Sequence, residues 1–247
     1  MNPFTGKNFV ATGAGSGIGA AVVSAASEAG ANVWGLDVNE SASANVTAKG
    51  GEFQRCDVSS ESDWQALAVR ASASLDGIDY LFLNAGIQAA PPEAPLSDYR
   101  FEAFDSDRYR RLIGVNIDGV VFGLHYLLPQ LSAGGSIVVT GSLAGIVPYD
   151  IDPLYSMTKH AVTGLVRSLA AEMAERGLRI NALCPGGIET GIIPEAQKVD
   201  GAVFMSPKHV AEEVLKLFQT DENGATWAKV SESKAMWVMA APGRKRS

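Results

Sequence analysis

The residues of this chain best suited to chemistry are a tyrosine and a lysine four positions apart, Tyr155 and Lys159, inside a run of helical period. On a helix that spacing puts the two side chains on one face and next to each other. A phenol with its ordinary pKa near 10 is ionised to well below 1 % at neutral pH and is a poor base for an alcohol proton. A neighbouring ammonium favours the phenolate. A lowering by about two units corresponds to roughly 2.7 kcal/mol, within reach of a partly buried charge pair, and would let Tyr155 titrate where a general base must. Ser142 falls just past an apolar run at residues 136–140, so it and Tyr155 can converge at one edge of a sheet. Its hydroxyl can donate to a ketone oxygen or accept from an alcohol.

A second group of residues suits a phosphate ligand. Thr12-Gly13-Ala14-Gly15-Ser16-Gly17-Ile18-Gly19 leaves a predicted strand and enters a predicted helix. Such a turn offers backbone N–H groups at a helix N-terminus, where hydrogen bonds and the helix dipole both favour a pyrophosphate. The spacing fits G-x-G-x-x-A read from Gly15, and a strict G-x-G-x-x-G read from Gly13 fails at Ile18. Asp37 ends the next predicted strand about twenty residues on, where a carboxylate can accept hydrogen bonds from adenosine ribose hydroxyls. Ala14, Gly15 and Ser16 in the turn, and Val38, Asn39 and Glu40 after Asp37, include no cation to meet a 2′-phosphate. NAD is therefore expected rather than NADP.

The ordered set Thr12-Gly13-x-x-x-Gly17-x-Gly19, Asn84-Ala85-Gly86, Asn116, Ser142 and Tyr155-x-x-x-Lys159 resembles the classical short-chain dehydrogenase/reductases, from about Lys7 to Phe218. The resemblance implies a hydride transfer between nicotinamide and a secondary alcohol or ketone. It implies that Tyr155 is the acid/base, that Ser142 orients the substrate oxygen, that Asn116 helps hold a water for proton relay, and that Lys159 also binds the nicotinamide ribose. It further implies that Gly13, Ser16, Gly17, Ile18 and Gly19 hold the pyrophosphate, and that Asp57 and Val58 flank adenine. Asn84-Ala85-Gly86 would close the cofactor from beneath, and Pro185, Gly186, Ile188 and Thr190 would reach the carboxamide. Leu143 and Ile192 would line the substrate pocket with Ser142 and Tyr155. Two other readings share these motifs: a dinucleotide-binding protein without turnover, and an isomerase or lyase that moves hydride transiently.

The elements that must position these residues alternate. Short β-branched runs at residues 8–12, 32–37, 53–57, 80–84, 136–140, 179–183 and 226–230 are separated by helical patterns at 17–29, 61–74, 107–131, 154–176 and 207–218. This predicts one α/β domain over 1–247 of the Rossmann type, a doubly wound parallel sheet of about seven strands with helices on both faces. Ser60 and Asp63 are spaced as a helix capping pair. The irregular stretches 85–100 and 185–206 both follow strands and so fall at the ligand-binding edge. Segment 91–104 is longer than the resemblance leads one to expect, and 224–241 lacks the glycine pair expected after the last strand.

Composition narrows the function classes. A net charge of −7 gives no field attracting nucleic acid, and no run approaches a membrane span. Cys56 and Cys184 stand apart in apolar surroundings without ligand spacing, which predicts buried free thiols. The first residues show no signal pattern, which predicts a cytoplasmic protein, and the basic end at 242–247 is expected to be a flexible tail. Excess apolar residues in 107–131 and 154–176 predict a homo-oligomer, tetramer or dimer. Leu143, Ile146, Val147, Ile188, Ile192 and Ile193, with Lys198 the only cation between 185 and 206, predict an apolar, uncharged substrate of modest size.

Overall fold

The computed structural model describes residues 2–198 and 203–240. The strands are β1 (Asn8–Thr12), β2 (Asn32–Asp37), β3 (Glu52–Arg55), β4 (Ile78–Leu83), β5 (Leu131–Thr140), β6 (Arg179–Pro185), β7 (Thr226–Lys229) and β8 (Trp237–Val238). They form one sheet in the order β3-β2-β1-β4-β5-β6-β7-β8, parallel except for β8, which pairs antiparallel with β7. The chain reverses its direction of winding between β1 and β4, and the crevice at the carboxyl ends of these two strands is where an open α/β sheet takes ligands.

Seven α-helices cover the sheet among the described residues: α1 (Gly17–Glu28), α2 (Ser43–Ala48), α3 (Glu61–Ser74), α4 (Ser106–Ile113), α5 (Gly119–Leu127), α6 (Pro153–Glu175) and α7 (Pro207–Phe218). Side chains of α3, α5 and α6, including Trp64, Leu67, Leu124, Val162 and Val166, pack with one face of the strands. Those of α1, α2 and α7, including Val22, Val23, Val46, Val214 and Phe218, pack with the other. The strands therefore have both faces buried, which is why they read as near-continuous apolar runs.

Several boundaries differ from the sequence expectation. The short helix α2 and the eighth strand β8 had no periodic signal long enough to find. β3 stops at Arg55, so Asp57 lies beyond the strand and its N–H donates to Asp63 Oδ2 at 2.9 Å. Ser60 caps α3 as its spacing suggested, its Oγ accepting from the N–H of Asp63 at 3.3 Å. The single helix expected over 107–131 is divided. After α4 comes one π-helical turn, Gly114–Asp118, in which the N–H of Gly119 reaches back five residues to Gly114, and α5 then runs on to a 3-10 turn, Leu128–Gln130. The stretch Ser106–Gln130 is long and apolar enough to cross a membrane by composition, yet here it is a sheet-covering element. Gly123 lets it approach so closely that a Cβ there would stand 2.7 Å from Leu83 and 2.9 Å from Trp64.

Candidate active site

The glycine turn is shaped by contacts that only glycine permits. Gly13 and Gly17 adopt φ of 64° and 52°, in the left-handed region that disfavours a Cβ. Gly19 has ordinary dihedrals but no room: a Cβ there would fall 2.0 Å from the carbonyl oxygen of Gly13. Close packing of α1 on the end of β1 follows. Ser16 occupies the N-cap of α1 without a side-chain cap bond, and the first turn carries no acidic residue. The leading N–H groups of α1, beside Ile18, thus face the crevice with the positive end of the helix dipole, a cradle that fits a pyrophosphate.

Asp37 reaches this turn from the end of β2. Its Oδ2 accepts from the N–H of Gly15 at 2.8 Å and its Oδ1 from the N–H of Asn39 at 3.0 Å. Each oxygen keeps a further lone pair, so the carboxylate is fixed in place and can still accept from a ligand. Val58 packs beneath Gly119, and its carbonyl accepts from the indole N–H of Trp64 at 2.9 Å. Asp57 is partly spent on its own turn, with Oδ1 accepting from the N–H and hydroxyl of Ser59 at 2.9 and 2.7 Å.

The ends of β1, β4 and β5 are knitted together below the crevice. Thr12 Oγ1 accepts from the N–H groups of Asn84 and Ala85 at 2.8 and 3.0 Å, while Asn84 Oδ1 accepts from the hydroxyl of Thr140 at 3.0 Å. The asparagine thus joins three strands. Gly86 sits where a Cβ would come 3.4 Å from Lys159 Nζ and 3.5 Å from Asn116 Oδ1. After β6, Gly186 donates to the Lys229 carbonyl at 2.8 Å. The methyl of Thr190 stands 3.0 Å from the Cβ position of Gly17, so Thr190 lies over the glycine turn.

Tyr155, Lys159 and Ser142 meet at the carboxyl edge beside this cradle. Pro153 at the first position of α6 suits a helix start, and Asp152 caps it, accepting at Oδ1 from the N–H of Tyr155 at 2.9 Å. Asp152 is fully buried, and its Oδ2 accepts from the N–H of Ala89 at 2.8 Å, tying the segment after β4 to the helix that carries Tyr155. Burial holds the Asp152 carboxyl above its usual pKa despite these bonds. Lys159 is 3 % exposed, its Nζ donating to the Thr140 carbonyl at 2.8 Å and lying 5.6 Å from the centroid of the Tyr155 ring.

The electrostatics run against the expectation of a phenol lowered by its lysine. From the protein's own groups, burial pushes the Tyr155 phenol well above its ordinary value, with the Ser142 hydroxyl beside it pulling the other way. Burial likewise lowers Lys159 to about 8. Desolvation of the charged form is the main cause for each group, and the ammonium donates to the Thr140 carbonyl rather than to the phenol oxygen.

Asn116 stands in the π-helical turn, 1 % exposed, with its side chain tied into the protein. Oδ1 accepts from the N–H of Ile87 at 2.9 Å, and Nδ2 donates to the Ile87 carbonyl at 2.9 Å and to Thr158 Oγ1 at 3.0 Å. Ile192 joins a small apolar cluster around Tyr155 with Ile87, Ala89, Leu112, Ala144, Tyr149 and Leu154. Leu143 turns instead toward Gly186, Val147 is 49 % exposed, and the Ile188 side chain is buried in the core beneath α7. Both cysteines are buried free thiols, with Cys56 pushed up to about 12 and Cys184 to about 11 by burial.

Residues the sequence reading passed over include Ile87, Ala89, Leu112, Tyr149 and Asp152. The Asp152-Pro153 start of a helical run is a visible capping signal for the last. The others come together only through contacts distant in the chain.

A nicotinamide-type dinucleotide fits the cleft so described, and comparison with known proteins agrees with the class. The short chain dehydrogenase family model matches residues 7–200, and the chain belongs to that family. It is 37 % identical over 209 residues, 82 % of this chain and 81 % of the relative, to a 2,5-dichloro-2,5-cyclohexadiene-1,4-diol dehydrogenase of Sphingobium indicum. It is 31 % identical to a cyclohexanol dehydrogenase of an Acinetobacter species, covering 91 % of this chain and 92 % of that one. Its fold matches a 3-ketoacyl-(acyl-carrier-protein) reductase from Brucella melitensis complexed with NADH, with a TM-score of 0.81 at 24 % identity over 92 % of this chain and 98 % of that one. Dehydrogenase relatives over most of the chain make this an oxidoreductase.

Proposed function

We propose that this protein is an NAD-dependent oxidoreductase that interconverts a secondary alcohol and its ketone, with Tyr155 as general acid/base. The observation that carries the reading is the juxtaposition of Tyr155, Ser142 and Lys159 at the carboxyl edge, beside a glycine cradle built for a pyrophosphate. The relatives named for ring alcohols point the same way.

The cofactor, when bound, supplies the hydride acceptor for oxidation and the donor for reduction. Gly13, Ser16, Gly17, Ile18 and Gly19 would hold its pyrophosphate, Asp37 its adenosine ribose, Asp57 and Val58 its adenine, and Lys159 its nicotinamide ribose. Pro185, Gly186, the Ile188 main chain and Thr190 would border the nicotinamide, with Asn84-Ala85-Gly86 beneath. In oxidation the Ser142 hydroxyl orients the substrate oxygen, and Tyr155 accepts the substrate's proton at its phenolic oxygen as its own phenol proton leaves. Lys159 and Asn116 would relay that departing proton toward solvent. Ile192 and the cluster around Tyr155 would exclude water from the reacting carbon. Val121 and Met157 are each 42 % exposed on α5 and α6, and the Gly164 Cβ direction is open, which supports a homo-oligomer formed through these helices.

The test follows absorbance of NADH over a panel of secondary alcohols, in wild type and Tyr155→Phe. The variant keeps the ring and loses the proton carrier, so turnover should fall by roughly 10²–10⁴ while NADH binding persists. Retention of more than a tenth of wild-type kcat would remove Tyr155 from the acid/base role.

A further inference from the structure

Lys229, the last residue of β7, is 1 % exposed, and the hydride-transfer chemistry leaves it unused. Its Nζ donates to the Lys234 carbonyl at 2.7 Å, and to the Glu232 carbonyl and Glu213 Oε1 at 3.4 Å each. Taking an ammonium out of water is costly, and an apolar side chain would avoid that cost. What the ammonium holds here is a loop. Residues 230–236 turn the chain from β7 back to β8 without a glycine, proline, asparagine or aspartate to set the turn. The hydroxyls of Ser231 and Ser233 meet only each other, at 3.3 Å. The two carbonyls gathered on Lys229 fix the loop instead.

That loop reaches the segment after β6 by two routes. In the first, the Lys229 carbonyl accepts from the N–H of Gly186 at 2.8 Å, and the next carbonyl, of Val230, would stand 3.0 Å from a Cβ on Gly186. In the second, the Glu232 carboxylate accepts from the N–H of Ser206 at 2.7 Å, a bond that holds its pKa below the usual carboxylate range. Ser206 follows Met205, whose N–H donates to the Gly187 carbonyl at 3.0 Å and whose own carbonyl accepts from the N–H of Glu189 at 2.9 Å. Residues 186–189 are thus gripped from both sides by groups whose places the loop determines.

We propose that Lys229 is a positioning residue for the nicotinamide end of the cofactor, fixing through loop 230–236 the place of Gly186, Gly187 and Ile188. This rests on the reading above, which puts Gly186 and the Ile188 main chain at the nicotinamide. The adenosine half of the site belongs to other elements. The glycine turn and Asp37 stand at the ends of β1 and β2, with β4, β5 and β6 between them and β7. Loosening the loop therefore acts on one end of the ligand and spares the other.

The experiment measures Kd by calorimetry for NADH and for ADP-ribose, which lacks the nicotinamide, in wild type, Lys229→Met and Glu232→Ala. Residues 232–235 are exposed, and Glu213 keeps Lys216 as a partner at 3.3 Å, so a freed loop meets water rather than opening the core. Lys229→Met should weaken NADH by about tenfold and Glu232→Ala by about threefold, with ADP-ribose staying within about twofold of wild type in both. Parallel weakening of the two ligands would overturn the inference by showing a structural role alone. NADH affinity unchanged in either folded variant would overturn it as well, and both results leave the oxidoreductase reading standing. Glu232→Ala alters only an exposed carboxylate, so it decides alone where Lys229→Met fails to fold. A wild type that binds no NADH would defeat the underlying reading and this inference with it.

Discussion

Replacing Lys159 by methionine should make the protein more stable at pH 7 while removing its activity. Burial lowers Lys159 from 10.5 to about 8, so the folded state disfavours its ammonium. At about 1.4 kcal/mol per pKa unit this costs about 3 kcal/mol wherever the lysine is protonated in both states, which holds below pH 8. Against that, Lys159→Met leaves the Thr140 carbonyl without its donor at 2.8 Å, a loss of roughly 1–2 kcal/mol. The net expectation is a gain of about 1–2 kcal/mol at pH 7, or roughly 2–8 °C in Tm for a chain of this size. The sign of the pH dependence is fixed: a lowered lysine pKa means that the folded state releases its proton first as pH rises. The wild type therefore regains stability between pH 8 and 10.5, and the advantage of Lys159→Met should shrink across that window. Thermal melts of both proteins at pH 7 and pH 10, with NADH formation measured in parallel, provide the assay. A variant that is less stable at pH 7 by an amount independent of pH would refute the reasoning, since it would mean that the lysine is not desolvated.

Other consequences are equally open to measurement. Wild type should prefer NAD to NADP by over a hundredfold in kcat/KM, a charge-repulsion and lost-donor effect of about 3 kcal/mol at Asp37; Asp37→Ala with Val38→Arg should recruit NADP, and a wild-type preference for NADP would show that Asp37 does not face the ribose. Gly19→Ala forces a Cβ to within 2.0 Å of the Gly13 oxygen, so NADH affinity measured by fluorescence titration should drop by about a hundredfold, and an unchanged Kd would mean that the turn does not carry the cofactor. Light scattering at micromolar concentration should report a homo-oligomer, and a stable monomer would contradict the role given to the exposed faces of α5 and α6.

Most of the sheet is readable from local pattern because each buried strand is a short β-branched run and each helix a long Ala-rich one. β1, β2 and α7 agree residue for residue with that pattern. Where the reading slipped, the deciding contact lay elsewhere in the chain. No periodicity marks the π-helical turn at Asn116, which coincides with the asparagine's bonds to Ile87 and Thr158, residues 29 and 42 positions away. The upward shift of Tyr155 from the protein's own groups has the same origin: helical spacing places the lysine nearby, but burial of both groups depends on what the loops lay over them. Lys229 carries no motif at all, and its bonds to Glu213 and to the Lys234 carbonyl are visible only once α7 and the loop after β7 are beside it.

The two borders of the sheet constrain how copies of this chain can meet. β3 is four residues long with Glu52 and Arg55 exposed at its ends, and the other border is closed by β8, only two residues long and running against its neighbour. Neither offers a long row of free N–H and C=O groups on which a second sheet could continue. Among the described residues, association through hydrogen-bonded strands is thus blunted at both ends, and the open helical faces of α5 and α6 remain. One self-complementary face generates a single two-fold axis and then is used up. The second axis that a tetramer requires would therefore have to be found on a surface other than the strand borders.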